Sequence, residues 1–320
     1  MQLHPANLAD IRSASERIAR YVLRTPLVRL NTYDKPFEIY LKLENLQPSG
    51  AFKMRGAFNA MLSASEEELQ DGVWTVSSGN MAIAVSYAAR ELNLACTVVV
   101  TEDLPPKKLA AINTLGSKVV SVPWHQMLEI AETRTYPGMS GMCIHPFADQ
   151  TVMDGNGTIG LEIIEDLPDV DAITVPYGGG GFAAGVASAT KVLRPETKVY
   201  AAEIETGAPF AASYLAGEPT QVEQRNTWVS GISTPRVFTD VWPVVKDLLD
   251  GAVVSSLSEV AEAVKLIAIE NNVIAEGAGA ASVAPVLAGK VGTGKVVCVV
   301  SGGNIDSEKF ITILEGGIPD

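Results

Sequence analysis

Residues 172–193 read AITVPYGGGGFAAGVASATKVL. An apolar, β-branched run of strand length breaks into Gly178, Gly179, Gly180 and Gly181 and passes at once into a helix-period segment, FAAGVASATKVL. A strand entering a helix through a tight turn is the repeating half-unit of a parallel sheet with crossover helices, so the class is α/β. Four successive glycines raise the entropy of the unfolded chain and add little to packing. What they supply is backbone amides that a ligand can approach closely. At the carboxyl end of a parallel strand, where a helix start adds partial positive charge, such a turn is a candidate phosphate cradle.

The alternation extends both ways. Strands are expected at 74–77, 96–101, 118–122, 198–204 and 295–300, with helices at 80–92 and 105–116, the second bounded by proline and glycine. Ahead of them a helix over 8–22 precedes LVRL (27–30) and FEIYLKLE (37–44), read as a strand pair in a mixed sheet. With 320 residues, 47% hydrophobic and 19% charged, the chain can bury a large core and is expected to divide into two lobes, each a largely parallel twisted sheet flanked by helices.

A net charge of -13 and the lack of any Lys/Arg cluster argue against nucleic acid as a partner. An anionic ligand must then be held by local donors. The longest apolar runs are strand-sized, short of the ~20 residues of a membrane span, and the N-terminus lacks the basic start and apolar core of a secretory signal. A cytoplasmic protein without membrane contact is expected, with no room for an appended regulatory domain after the last strand. Cys96, Cys143 and Cys298 show no C-x-x-C spacing and read as reduced core residues. His4, His125 and His145 lie outside every motif and read as structural.

The glycine turn also fits G-x-G-x-x-A from Gly179 to Ala184, with Glu203 ending the next strand, so a nicotinamide oxidoreductase stays open at this point. Other loops weigh against it. LKLENLQPSGAFKMRGAFNAM places Lys53 beside Phe52 where turn residues give way to a helix, and a helix start lowers a lysine pKa toward a nucleophilic amine. The plain alternative is a solvated surface lysine. Ser77-Ser78-Gly79-Asn80-Met81 opens another helix, either as a carboxylate site or as an ordinary cap. Ser301-Gly302-Gly303-Asn304 is a third small, polar turn at a strand end, and three such turns suggest one shared cleft.

Taken in order, SGAFKMRGA, SSGNM, VPYGGGGF, EGAGAA and SGGN resemble the threonine/serine dehydratase and serine racemase family of pyridoxal phosphate enzymes over nearly the whole chain. The resemblance implies the tryptophan synthase beta-like fold, fold type II among these enzymes. It also implies a large cofactor-binding domain of residues 1–65 and 150–320 and a small domain, 66–149, carrying the asparagine loop. Lys53 stands where the Schiff-base lysine stands, with Phe52 beside the ring. Asn80 matches the contact to the ring hydroxyl. Ser77, Ser78, Gly79, Asn80 and Met81 share the substrate-carboxylate loop, and Gly178 to Gly181 with Phe182 match the phosphate loop. Ser301 matches the residue facing the pyridine nitrogen, Glu276 lines the cofactor's other side and Gly231 its edge. Ser78 also matches the racemase acid on the face opposite Lys53.

The implied activity is elimination of water from a small β-hydroxy amino acid such as threonine or serine, giving a 2-oxo acid and ammonia, in a homodimer. Racemisation and β-replacement are the alternatives. A hydroxyl partner such as Ser301 stabilises a carbanion less than a carboxylate would, which favours loss of a β-leaving group. The sequence departs from the family at Met81, where histidine is usual, and at Asn156, where glutamine is common. Some relatives bind a divalent metal through a glutamate, matched by Glu203, and a later aspartate; residues 205–209, ETGAP, offer none, so no metal is assigned to this chain.

Overall fold

The strands of the computed structural model, which describes residues 2–32 and 38–320, collect into two sheets. They are β1 (Leu27–Arg29), β2 (Glu38–Lys42), β3 (Val73–Val76), β4 (Cys96–Thr101), β5 (Lys118–Val122), β6 (Met142–Cys143), β7 (Ala172–Pro176), β8 (Lys198–Ile204), β9 (Ala252–Ser255) and β10 (Lys295–Val299). One sheet runs β1-β2-β10-β7-β8-β9 and the other β5-β4-β3-β6. Only the β1–β2 pair among them is antiparallel. The expected strands 96–101, 118–122 and 198–204 have the observed limits. Phe37, the start of one expected strand, lies outside the described residues. The first helix is shorter than expected, Leu8–Ile18, because the chain turns at Tyr21 and Val22, whose N–H groups both bond to the Ile18 carbonyl.

The sequence reading did not mark β6 and β9. β6 is two residues long and adds to β3 only because Gly141, at φ +86, lets the chain pass against the Gly72 carbonyl. Central strands β7 and β10 are buried almost throughout, as strands covered on both faces must be, and this is why they read as continuous apolar runs. Helix Gly181–Leu193 packs closely on helix Gln150–Asp166: a side chain at Gly160 would meet the Val186 carbonyl at 2.5 Å.

Helix Lys53–Ser63 packs on helix Asn80–Glu91 and the four-stranded sheet through Met54, Ala57, Phe58 and Met61, while its Gly56 abuts Val152 of helix Gln150–Asp166. Each fully buried Phe or Met contributes roughly 1.5–3 kcal/mol, so the first turn of this helix is held from two sides. Carboxyl ends of the parallel strands deliver the loops of interest: β3 leads to Ser77, β4 ends at Thr101, β7 leads to Gly178 and β10 to Ser301.

Candidate active site

Lys53 is the first residue of its helix and is half-buried. Its Nζ donates to the Pro146 carbonyl at 2.6 Å and lies 5.0 Å from the centroid of the Phe52 ring. Loss of hydration lowers its pKa from 10.5 to about 8, since burial disfavours the charged form. A larger fraction of the amine is therefore free near neutrality than for a solvated lysine.

The loop ahead of Lys53 is pinned to the turn after β10. Phe52 N donates to the Ser301 carbonyl at 3.0 Å, Gly303 N donates to the Gly50 carbonyl at 2.9 Å, and Ala51 bridges Gly302. Gly50 adopts φ +76, and a side chain there would strike Asn304 Oδ1 at 2.4 Å, so only glycine fits. Asn304 Nδ2 donates to Ser49 O and to Asn80 Oδ1, at 3.0 and 2.9 Å. Asn80 Nδ2 in turn donates to Glu276 Oε1 at 2.6 Å, and Glu276 N donates to the Gly302 carbonyl at 3.0 Å. Burial raises the Glu276 pKa, and the Asn80 hydrogen bond offsets part of that rise.

The glycine turn closes the other side. Gly181 opens a helix of 13 residues and Gly180, at φ +87, precedes it. A Cβ on Gly179 would lie 2.2 Å from the Phe147 ring, and one on Gly181 would lie 1.9 Å from the Phe147 carbonyl. Phe182 stacks on Phe52 with ring centroids 3.7 Å apart, joining the turn to the lysine loop. Gly231 sits between Gly178 and Glu276: its carbonyl is 3.4 Å from a Cβ placed on Gly178, and its own Cβ would lie 3.9 Å from Glu276 Oε1. Contacts thus bring Phe52 and Lys53, the turn from Gly178 to Gly181 with Phe182, and Asn80, Gly231, Glu276 and Ser301 into one ring.

On the side of the four-stranded sheet, Ser77 Oγ accepts from Gly79 N at 3.2 Å, and a Cβ on Gly79 would meet nothing within 4 Å, so the turn faces open space. Ser78 is bonded to Thr101 instead of standing free in that space. Met81 is 1% exposed and packs with Met54, Ala57 and Val85 in the core.

Arg55, two residues past Lys53, is fully buried and carries two carboxylates on its guanidinium. Nε and Nη2 donate to Glu44 at 2.9 and 2.8 Å, and Nη1 and Nη2 to Glu162 at 2.6 and 2.9 Å. Lys42 Nζ donates to Glu162 Oε2 and the Thr25 carbonyl, at 2.6 and 2.7 Å. Two cations and two anions cancel, and the group joins β2, helix Lys53–Ser63 and helix Gln150–Asp166 at the base of the Lys53 turn. Burial opposes the charge on Arg55, but Glu44 and Glu162 outweigh it and raise the pKa.

This ring combines an enclosed amine with a depressed pKa, a glycine turn without room for side chains at a helix start, and polar groups on the remaining sides. Such a set suits an aldehyde cofactor with an anionic tail. The profile of the family described as pyridoxal-phosphate dependent enzyme matches residues 18–302. The chain belongs to this family.

Among relatives of this pyridoxal-phosphate dependent enzyme, an L-threonine ammonia-lyase of Geobacter sulfurreducens is 37% identical over 96% of this chain and 78% of its own. A serine racemase of Dictyostelium discoideum is 38% identical over 96% of this chain and 97% of its own. The structure of maize serine racemase superposes with a TM-score of 0.90 at 31% identity, covering 98% of both chains. Membership removes the nicotinamide alternative left open by the glycine pattern. Its α/β architecture is that of the solved fold type II pyridoxal phosphate enzymes.

The metal-ligand position of some relatives has another use in this pyridoxal-phosphate dependent enzyme. Glu203 is buried, and its two oxygens accept from Phe210 N and Ala211 N, both at 2.8 Å, in the first turn of helix Pro209–Ala216. Pro209 offers no ligand, and among the described residues no cluster of three or more His, Cys, Asp or Glu is placed to hold an ion.

The sequence reading passed over Phe147, Pro146 and Thr101. Pro146 and Phe147 follow a strand too short to mark, and no polar motif announces a backbone carbonyl as the partner of Lys53. His145 beside them is structural: Nδ1 accepts from Ala148 N at 2.8 Å, Nε2 donates to the Ala131 carbonyl at 2.9 Å, and burial lowers its pKa to about 4.

Proposed function

We propose that this pyridoxal-phosphate dependent enzyme is an ammonia-lyase that removes water from threonine, serine or a related β-hydroxy amino acid. The observation that carries the reading is the enclosed Lys53 amine, with its pKa near 8, bonded to the segment that packs on the glycine turn. When bound, the cofactor would supply an electron sink for the charge that develops at the substrate Cα.

The chain's residues divide the remaining work. Lys53 would hold the cofactor through its side-chain amine and, as the free amine, would take the substrate Cα proton. The amides of Gly178 to Gly181, at the start of the helix that continues through Phe182, hold the phosphate. Phe52, Gly231 and Glu276 would enclose the ring, with Asn80 as the partner for its hydroxyl and Ser301 for its nitrogen. Ser77, Ser78 and Gly79, with Asn80 and Met81 behind them, receive the substrate carboxylate. Residues 1–65 and 150–320 form the cofactor domain and 66–149 the smaller domain, in a cytoplasmic homodimer.

Serine racemases among the relatives keep racemisation as the second reading. The test begins with purified protein and added pyridoxal phosphate: a visible band should appear, disappear on borohydride reduction and be missing in Lys53→Ala. Threonine and serine should then yield 2-oxo acid faster than the residual substrate inverts. A colourless wild-type protein, or inversion outpacing keto-acid release, refutes the reading.

A further inference from the structure

Ser78 Oγ accepts from the Thr101 backbone N–H at 2.9 Å. The same oxygen lies 3.0 Å from Thr101 Oγ1 and 3.7 Å from Met127 Sδ. A serine hydroxyl has one proton to give, so the two possible directions of the Ser78–Thr101 bond can be followed separately. If Ser78 donates, its proton goes to Thr101 Oγ1. If Thr101 donates, the Ser78 proton still has the Met127 sulfur as acceptor. In both cases the proton is held inside the wall formed by β4 and helix Trp124–Thr133, away from the open space over Gly79. Thr101 is itself fixed: it is buried and pairs with Val122 of β5.

We propose that Thr101 is a positioning residue that sets the outcome of the reaction, by keeping the Ser78 proton in the wall so that a deprotonated substrate Cα is not reprotonated from that side. The proposal rests on the lyase reading, with Lys53 as base and Ser78 facing the substrate. Inversion needs one proton to leave Cα for Lys53 Nζ and another to arrive from Ser78 Oγ, with water replacing the one Ser78 gives up. Elimination needs only the first transfer, with the β-hydroxyl and a proton leaving as water. Holding the Ser78 proton back suppresses inversion and leaves elimination intact. Met127 is the secondary holder of the same proton.

The holoenzyme and its Thr101→Val, Thr101→Ser and Thr101→Val/Met127→Leu variants are given L-serine in deuterated water. Keto acid is measured, and the recovered serine is assayed for D-isomer and for deuterium at Cα. Thr101→Val keeps the backbone N–H but removes the hydroxyl partner. Its ratio of inversion to elimination should rise about tenfold, the effect of releasing one hydrogen bond of ordinary strength, and further in the double variant. Thr101→Ser should keep the wild-type ratio. Crystal structures of the wild type and Thr101→Val give a readout independent of turnover: the Ser78 hydroxyl should leave residue 101 only in the variant. An unchanged ratio in Thr101→Val and in the double variant, the same shift in Thr101→Ser, or a Ser78 rotamer that stays in place would overturn the proposal. A wild type that binds pyridoxal phosphate yet releases no keto acid refutes the lyase reading instead, and the Ser78 rotamers still decide the role of Thr101.

Discussion

Asn304 Nδ2 donates to Asn80 Oδ1 at 2.9 Å, which ties the turn after β10 to the turn after β3 and so links the two sheets through side chains alone. The same amide bonds Ser49 O, four residues ahead of Lys53. Asn304→Ala removes both bonds and leaves half-buried acceptors unpaired, at an expected cost of about 1–3 kcal/mol. Urea denaturation measures the loss, and a pyridoxal phosphate titration should show weaker binding. A midpoint and an affinity equal to wild type would mean that the link contributes nothing.

Lys53 reacts as the free amine, so its pKa of about 8 dictates a pH profile. Below that value each pH unit lowers the free fraction about tenfold, and above it the fraction levels off. The rate of colour development after mixing cofactor-free protein with pyridoxal phosphate should climb from about pH 6 to near 8 and then flatten. Stopped-flow absorbance follows it. A rate still climbing steeply toward about pH 10 would indicate an ordinary solvated lysine.

Gly181 has no room for a side chain, because a Cβ would sit 1.9 Å from the Phe147 carbonyl. Gly181→Ala must displace this segment, and with it the Pro146 carbonyl that Lys53 bonds. Cofactor affinity should fall by more than about tenfold in an absorbance titration. Gly207→Ala is the comparison: its Cβ would have no neighbour closer than 3.9 Å, and its stability should stay within about 0.5 kcal/mol of wild type.

Arg55→Leu would leave Glu44 and Glu162 facing each other across a dry site, with Lys42 as the cation still bonded to Glu162. Removing one partner of a buried ionic group costs about 3–5 kcal/mol, a large part of the ~5–15 kcal/mol that holds a domain together. Arg55→Lys keeps the charge but loses the fork that spans both carboxylates, so an intermediate urea midpoint is expected. Equal midpoints for Arg55→Leu and wild type would show that the network does not hold the Lys53 helix.

Much of the fold was legible because its signals are local. β7, the glycine turn and the helix after it follow from apolar runs and backbone freedom within a few residues, and three strand limits could be read from β-branched composition. β6 escaped because two residues carry no periodicity and its pairing depends on the distant Gly72 carbonyl. Phe147 escaped for a similar reason. An aromatic side chain reads as core, and only the packed structure sets it against Gly179 and Gly181.

The order of the motifs around Lys53, Asn80, Gly178 and Ser301 was sufficient, from the chain alone, to point to the family, the cofactor and the class of reaction, because those groups must be present whatever the details of packing. Tertiary structure decided where each hydrogen goes: the Lys53 amine onto Pro146 O, the Asn80 amide onto Glu276, and the Ser78 hydroxyl into partnership with Thr101. Hydrogen bonds and desolvation act over a few ångströms between residues far apart in sequence, so no local pattern can encode them.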